Sequence, residues 1–192
     1  MEHASFDPSY QQGSPPWETG QPQPAVVALA EQGQFTGRVL DVGCGTGENA
    51  LHLAAYGHPV LGIDGAATAI QRARDNARRR GLSAQFLVGD AFNLTALEQT
   101  FETVLDSAFL HIPGNTAARR RIYADQLAAV LTSGGWAHLL EISEKVTEHP
   151  SLTSAEILNT FDDKWTNAQI QEATYMITDD ELPAWLVSIQ RR

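Results

Sequence analysis

The stretch Val39-Leu40-Asp41-Val42-Gly43-Cys44-Gly45-Thr46-Gly47 decides the fold of this 192-residue chain. Its first four residues form a short apolar run that is typical of a buried strand. Three glycines at every second position then let the backbone turn sharply and approach a ligand closely. Residues 48–56 follow with helical spacing, so the pattern predicts a strand, a glycine loop and a helix. Backbone N–H groups at such a helix start favour a negative or polar group of a ligand.

The spacing of the glycines separates two kinds of ligand. A dinucleotide-binding loop has the pattern G-x-G-x-x-G, which would place its third glycine at position 48. Position 48 is Glu48, and the glycines stand at positions 43, 45 and 47. A pyrophosphate would therefore meet a carboxylate where it needs bare backbone. This disfavours a nicotinamide-dependent oxidoreductase, which we keep as an alternative.

Size and composition predict one soluble domain with a single sizeable core. The chain has no run near the ~18 apolar residues that span a bilayer and no basic-then-apolar signal, so we expect a cytoplasmic protein without a membrane partner. The net charge of −10 disfavours nucleic acid as a partner, because nucleic-acid binding relies on Lys and Arg. The single Cys44 excludes an internal disulfide and a multi-Cys metal site. It fits a small loop filler, with a nucleophilic role as the alternative.

Strands and helices alternate along the rest of the chain. We predict strands over residues 39–42, 59–64, 84–88, 101–106 and 137–142, and helices over residues 24–32, 48–56, 66–80, 116–131 and 154–161. Two further strands, 170–177 and 184–189, are joined by the turn-like residues 178–183 and should form an antiparallel hairpin at the sheet edge. The pattern predicts an α/β fold that is Rossmann-like and doubly wound. Its seven-stranded sheet is mostly parallel, with helices on both faces and a C-terminal antiparallel hairpin.

Residues 1–24 form an N-terminal arm, and residues 25–192 a single domain. The arm is polar and rich in Pro, Gly, Gln and Ser, which by composition alone predicts disorder. The segment from Pro15 to Gly20 is too stiff and aromatic for a plain linker, since it holds Trp17. We therefore expect the arm to fold over the ligand, where Tyr10 would also reach the pocket.

Open parallel sheets bind ligands at the carboxyl ends of their strands, near the point where the strand order reverses. Several predicted strands end on or beside an acid: Asp41, Asp64, Asp90, Asp106 and Glu141. The carboxylate of Asp64 can accept hydrogen bonds from two ribose hydroxyls, with a helix N-cap as the alternative. Asp90 can accept from the exocyclic amine of an adenine that Ala91 and Phe92 contact, with turn formation as the alternative.

The loop Asp-x-Gly-x-Gly-x-Gly and these acids resemble class I S-adenosylmethionine (SAM) dependent methyltransferases over about residues 37–142. The resemblance implies that Asp41 faces the ammonium group of SAM, Asp64 its ribose, and Asp90 with Ala91 its adenine. The cofactor-binding residues expected in this way are Trp17, Asp41, Gly43, Cys44, Gly45, Thr46, Gly47, Asp64, Gly65, Asp90, Ala91, Phe92 and Asp106. The product would be S-adenosylhomocysteine.

Three segments outside the core carry a narrower resemblance. Residues 14–24, 106–111 and 183–186 are similar to small-molecule methyltransferases of the thiopurine and tellurite-resistance type. They are most similar to actinobacterial enzymes that methylate heterocyclic, quinolone-like toxins. In that group the arm covers SAM, so Trp17 is implied as a cofactor contact. The implied function is methyl transfer to O, N or S of a small heterocyclic or phenolic molecule, with detoxification as its role.

Such a transfer is an in-line displacement at a methyl carbon, and the sulfonium is already a strong electrophile, so no metal is expected. The protein must align the reacting atoms and exclude water. A hydroxyl or thiol nucleophile must also lose a proton, and His111, after the fourth strand, is the candidate base. A structural histidine is the alternative there. A SAM-binding sensor or scaffold without catalysis is the non-enzyme alternative, and we expect a monomer or weak dimer.

Overall fold

The structure is a computed structural model and describes residues 6–192. Its single sheet has seven strands in the order β3-β2-β1-β4-β5-β7-β6. Their bounds are β1 Val39–Val42, β2 Val60–Asp64, β3 Gln85–Val88, β4 Phe101–Ser107, β5 Leu131–Ile142, β6 Trp165–Ile177 and β7 Asp180–Arg191. Strands β1 to β5 are parallel, whereas β7 pairs antiparallel with both β5 and β6. The predicted fold class is confirmed, with the hairpin β6–β7 at one edge.

Helices cover both faces of the sheet. They are α1 Asp7–Gln11, α2 Pro24–Glu31, α3 Glu48–Ala55, α4 Ala67–Arg80, α5 Ala117–Val130 and α6 Ser154–Leu158, with a 3-10 turn at Leu94–Leu97. One core holds side chains of α2, α3 and α4, among them Ile70, and the other holds side chains of α5 and α6, among them Leu127. Helix α6 is shorter than predicted and is capped by Thr153 rather than Ser154, because Thr153 and Glu156 form a capping box. None of the described helices is both long and apolar enough to cross a membrane.

Strand β5 begins earlier than predicted, directly where α5 ends. The predicted helix 116–131 stops at Val130, and Leu131 already has extended backbone angles and pairs with Phe101 of β4. Gly134, whose φ is +80°, lies in an irregular segment after that first pair. Gly134 and Gly135, residues of a type that commonly ends a helix, thus lie within β5 instead.

The hairpin strands are longer than the predicted ranges 170–177 and 184–189. Pro183 was expected in the turn but lies within β7. Its carbonyl oxygen accepts a hydrogen bond from the N–H of Ser143, so its N side faces the strand β5. Since β5 has already ended at Ile142, no ladder bond there needs the N–H that proline lacks.

The glycine loop fits tightly under the sheet at Gly47. This residue is the N-cap of α3 and has φ of +87°, a conformation that side chains rarely adopt. A Cβ added there would lie 2.8 Å from the ring of Phe86 and 3.1 Å from Cβ of Ala73. Gly57 has a similar φ of +92°, yet an added Cβ would meet nothing within 4 Å.

This pair of glycines gives a matched test of packing in the loop. We expect Gly57→Ala to lower the free energy of unfolding by about 1 kcal/mol, the cost of the left-handed conformation. Gly47→Ala should cost about 1–3 kcal/mol more, because the methyl group must displace Phe86. Urea unfolding of both variants measures the difference. Equal losses would show that the loop can move away from Phe86.

Candidate cofactor and substrate site

A cavity of about 730 Å³ lies at the carboxyl ends of the strands, beneath the described part of the arm. It opens beside β1 and β4, where the strand order reverses, as ligand sites of such sheets do. The structure brings most of the predicted site residues into its wall: Trp17, Gly43, Cys44, Gly45, Asp64, Gly65, Asp90, Ala91, Phe92 and His111. Asp41, Thr46, Gly47 and Asp106 lie directly behind this wall, and all four are buried.

The glycine loop is held against the end of β2. The N–H groups of Gly43 and Cys44 both donate to the carbonyl oxygen of Ile63, at 2.8 and 2.9 Å. The N–H of Gly45 donates to Oδ2 of Asp64 at 3.0 Å. Burial raises the pKa of the Cys44 thiol well above its usual value, which disfavours the thiolate that a nucleophile needs. The small-filler interpretation of Cys44 therefore fits the structure better.

Asp64 lies at the end of β2 with both carboxylate oxygens in use. Oδ1 accepts the N–H of Ala66 at 2.8 Å, and Oδ2 accepts that of Gly45. The N-cap of α4 is Ala66, which no side chain caps, so Asp64 is not the helix cap of the alternative interpretation. Each oxygen still has a free lone pair for a hydroxyl donor. Burial raises the pKa of this carboxyl group.

Asp90 forms the turn bond that its alternative interpretation predicts. Its Oδ1 accepts the N–H of Phe92 at 2.8 Å. This bond turns the chain so that Asp90, Ala91 and Phe92 all line the cavity, and the ring of Phe92 packs 5.8 Å from that of Phe109. The turn and the predicted adenine site are thus compatible, because the turn is what presents these residues.

The carboxyl group of Asp41 is buried without a well-formed hydrogen bond. The residue is 1% exposed, and neither oxygen has a partner with good hydrogen-bond geometry among residues 6–192, although the nearby backbone N–H of Ala50 lowers its pKa somewhat. Burial, and next the negative charge of Asp106, raise the pKa of Asp41 to about 7. Burying a carboxylate without a hydrogen-bond donor costs free energy, so such a group commonly binds a ligand or carries a proton. The site therefore fits a ligand with a cationic end next to Gly43.

The described part of the arm closes over the glycine loop. The indole N–H of Trp17 donates to the hydroxyl of Tyr10 at 3.0 Å, and that hydroxyl donates to Oε1 of Glu18 at 3.1 Å. Glu18 in turn accepts the N–H of Thr46 at 3.2 Å and also its hydroxyl. The sequence analysis missed Glu18, although an acid beside the one tryptophan of the arm was the available signal. Residues 1–5 of the arm lie outside the described residues.

The arm is also fastened to the hairpin at the far end of the chain. The side-chain amide of Gln23 donates to the carbonyl oxygen of Met176 at 3.0 Å and accepts the N–H of the same residue at 2.8 Å. A few residues on, the N–H of Thr178 donates to the carbonyl oxygen of Pro16 at 2.8 Å. Gln23 thereby pairs with β6 as a residue of a further strand would. The arm from Pro16 to Gln23 covers the cavity and forms its roof.

His111 also lines the cavity and contacts the buried acid Glu141. Its Nδ1 is 2.5 Å from Oε2 of Glu141, and its ring is 8% exposed. Glu141 also accepts the backbone N–H groups of Leu110 and His111, at 3.0 and 3.1 Å. Asp106 lies beside Glu141, and its Oδ1 accepts the N–H of Phe109 at 2.9 Å. Glu141 was expected at a strand end, but its contact with a histidine thirty positions earlier has no signal in the sequence.

The charges of this cluster are set by its burial. Burial lowers the pKa of His111 to about 4, so its imidazole is neutral at neutral pH. Burial first, and the charge of Glu141 second, raise the pKa of Asp106 well above its usual range. Two adjacent buried carboxyl groups hold a proton between them more readily than they both ionise. Burial also raises the pKa of Glu141, to about 8, but the backbone N–H groups of Leu110 and His111 both donate to its oxygens, which favours the ionised form there and the shared proton on Asp106.

The part of the cavity beyond His111 is largely apolar. Side chains from the loop after β4, the loop after β5 and the hairpin line it: Phe109, Ile112, Pro113, Ile142, His149, Pro150, Tyr175, Ile177 and Leu182. A cavity with a polar, glycine-lined end and an apolar end suits two ligands held side by side.

Comparison with known proteins agrees with this geometry. The family model for the methyltransferase domain matches residues 39–135. The chain is similar to a 2-heptyl-1-hydroxyquinolin-4(1H)-one methyltransferase of Mycobacteroides abscessus, with 48% identity over 98 residues, which are 50% of this chain and 43% of that protein. It is also similar to a probable thiol methyltransferase 2 of Arabidopsis thaliana, with 30% identity over 68% of this chain and 58% of the relative. The chain thus spans about half the length of these curated relatives.

Solved structures give a longer match. A structure from work on the conversion of a disulfide bond into a thioacetal group during echinomycin biosynthesis superposes with a TM-score of 0.88. Its identity is 37% over 98% of this chain and 92% of that one. A magnesium protoporphyrin IX methyltransferase from Synechocystis with bound SAM has a TM-score of 0.67, covers 88% of this chain and 76% of that one, and at 19% identity shares the fold alone. Since the family model covers half of the chain, including the glycine loop and the strand ends with Asp64, Asp90 and Asp106, the chain belongs to the methyltransferase-domain family.

Proposed function

We propose that the protein is a SAM-dependent methyltransferase that acts on a small heterocyclic or phenolic molecule. The observation that carries the proposal is the buried, unpartnered carboxyl group of Asp41 behind a glycine loop whose wall also presents Asp64. The similar hydroxyquinolone and thiol methyltransferases support a small acceptor attacked through O, N or S. Detoxification of such a molecule is the role that we propose.

The residues present fit the cofactor. Asp41 would face its ammonium group, Asp64 its ribose hydroxyls, and Asp90 with Ala91 and Phe92 its adenine. Trp17 from the arm would cover it. When bound, SAM supplies an electrophilic methyl group on a sulfonium, which needs no further activation. The protein's own task is then to align the acceptor, to exclude water under the arm and to move one proton.

His111 is the residue that we propose as the base. It lines the cavity between the polar and apolar ends, and its imidazole is neutral at neutral pH, so that one ring nitrogen can accept a proton, although burial makes it a weaker base than a free histidine. The same proposal places a monomer or weak dimer in the cytoplasm, without a metal and without a nucleic-acid or membrane partner. The net charge of −10 supports the absence of a polyanionic partner.

Two measurements test the function together. Isothermal titration should show binding of SAM and of its demethylated product at micromolar levels, and labelled SAM should transfer methyl groups to members of a panel of phenols, thiols and hydroxyquinolones. Absence of SAM binding would refute the proposal. Binding without transfer to any acceptor would favour the second candidate, a SAM-binding protein without catalysis.

The second candidate has one observation in its favour. A [4+2]-cyclase shares this fold at a TM-score of 0.72 and 18% identity, so the fold alone does not imply methyl transfer. The third candidate, a nicotinamide-dependent oxidoreductase, meets an obstacle in Glu48. Its carboxylate stands in the first turn of α3, pairs with Arg80 at 2.7 Å and lines the cavity where a pyrophosphate would lie.

A variant of Asp64 tests the ribose assignment. We expect Asp64→Ala to weaken SAM binding by about ten- to a hundred-fold, because two hydrogen bonds to a charged group are lost. The wild type should bind an analogue of SAM that lacks the ribose hydroxyls more weakly than it binds SAM. Asp64→Ala should bind the analogue and SAM with similar affinity. Asp163→Ala, at an exposed acid far from the cavity, is the control. If Asp64→Ala still prefers SAM over the analogue as strongly as the wild type does, Asp64 does not hold the ribose.

A further inference from the structure

The contact between His111 and Glu141 fixes which ring nitrogen of the imidazole faces the cavity. Glu141 is wholly buried and lies behind the cavity wall, whereas His111 is part of the wall. Nδ1 points back to Oε2 of Glu141 at 2.5 Å. The other ring nitrogen, Nε2, is therefore the one left for the cavity.

The carboxylate of Glu141 can only accept hydrogen bonds when it is ionised. It accepts the N–H groups of Leu110 and His111, one at each oxygen, and these bonds favour the ionised form against the burial that raises its pKa to about 8. Nδ1 of His111 must then carry the hydrogen, and in a neutral ring Nε2 has the lone pair. This is the arrangement that a base facing the cavity requires.

His138 shows the opposite arrangement in the same molecule. Its Nε2 is 3.2 Å from the carbonyl oxygen of Gln34, which can only accept, so Nε2 carries the hydrogen. Its Nδ1 is 2.8 Å from the hydroxyl of Ser188, which can donate to it. The chain thus contains a buried histidine of each tautomer, and the second serves as an internal reference.

The charge around the cavity bears on the acceptor. Asp41, Asp64 and Glu141 lie around its polar end, together with Glu18 of the arm, whereas Asp106 holds the shared proton. An acceptor that entered as an anion would be repelled by this group of acids. A neutral acceptor enters without that repulsion, but it must then lose its proton inside the site.

We infer that Glu141 is a positioning residue that holds His111 with Nε2 toward the acceptor, and that the site takes acceptors which still carry their proton, weakly acidic hydroxyls or thiols. This inference rests on the proposed function. The acceptor's O–H or S–H proton passes to Nε2 while its heteroatom forms a bond to the methyl carbon. The sulfur–carbon bond breaks with its electron pair on sulfur, and the imidazolium later releases its proton to water.

The tautomer can be measured without any turnover. Nitrogen NMR of the imidazoles in the ligand-free protein should show His111 with hydrogen on Nδ1 and His138 with hydrogen on Nε2. In Glu141→Gln the signal of His111 should shift toward the other tautomer, while His138 stays unchanged. His111 found with hydrogen on Nε2 in the wild type would overturn the inference, even where Glu141→Gln does not fold.

The dependence on acceptor acidity is the kinetic test. For Glu141→Gln at saturating SAM, we expect kcat to fall about ten- to a hundred-fold with weakly acidic phenols and little with phenols that are ionised in the assay. Glu172→Gln, on the exposed face of β6, is the matched control. An equal loss for every acceptor would show a merely structural role. A wild type that binds SAM but methylates none of them would refute the proposed function, while the NMR result still decides the role of Glu141.

Discussion

Asp41→Asn should lose most of its affinity for SAM and at the same time become a more stable ligand-free protein. The affinity should fall about ten- to a hundred-fold, because the buried carboxylate is the group that we propose to face the ammonium. The stability should rise because the wild type must hold an unpartnered charge in a site with 1% exposure. A residue that only maintained the fold would change both properties in the same direction.

The effect of Asp41→Asn on the free energy of unfolding should depend on pH. The pKa of Asp41 is raised to about 7 in the folded protein, above the usual value of 3.8. Between these two values the folded state binds more protons than the unfolded state, so the stability of the ligand-free wild type falls as the pH rises through this window. Full conversion of the shift amounts to about 4 kcal/mol at most. The affinity for SAM should rise over the same window, as the carboxyl group ionises.

Thermal unfolding and SAM titration at about pH 5 and about pH 8 measure both effects. Asp41→Asn should show a much flatter dependence of the melting temperature, with its gain of stability confined to the higher pH. Asp163→Asn, an exposed acid, serves as the control and should follow the wild type. A variant with unchanged SAM affinity, or with the pH dependence of the wild type, would contradict the role given to Asp41.

Replacing His111 by Ala should lower kcat with a weakly acidic acceptor by about a hundred- to ten-thousand-fold, the usual contribution of a general base. SAM affinity should stay within about twofold of the wild type, because the imidazole contacts the acceptor rather than the cofactor. Added imidazole should restore part of the rate, since the variant leaves room for it in the cavity wall. His58→Ala, at a histidine that does not line the cavity, is the control.

The double variant of His111 and Glu141 extends this test. If Glu141 acts only through His111, then His111→Ala with Glu141→Gln should be no slower than His111→Ala alone. If the loss of rate in the double variant equals the product of the two single losses, Glu141 acts on the acceptor by another route. A loss of less than about tenfold in His111→Ala itself would remove this histidine as the base.

Local patterns were enough to predict the sheet and the edge of the sheet at which the cavity lies. The apolar run before Gly43 and the acids after successive strands are short-range signals, and parallel strands bring such acids to one edge without further information. The start of β5 at Leu131 was missed because the glycines after it are the usual sign of a helix end. Pro183 was misplaced in a turn because its neighbour strand ends beside it, a fact of tertiary structure.

Sequence reasoning missed Glu18, and it nominated Glu141 at a strand end without its partner, because both roles depend on a distant contact. Glu18 contacts Thr46, and Glu141 contacts His111, across about thirty positions in each case. Neither acid has a spacing that distinguishes it from a solvated one. Only the fold brings the arm to the glycine loop and β5 to the loop after β4.

The two bonds between Gln23 and Met176 join residues that are 153 positions apart in the chain. Contacts of such separation form late during folding, because most of the chain must be ordered before they repay the loss of loop freedom. During synthesis the arm emerges long before the strand on which it docks. The roof of the cavity is therefore the last part of this molecule to be completed, and the same contacts should be among the first to open in local unfolding.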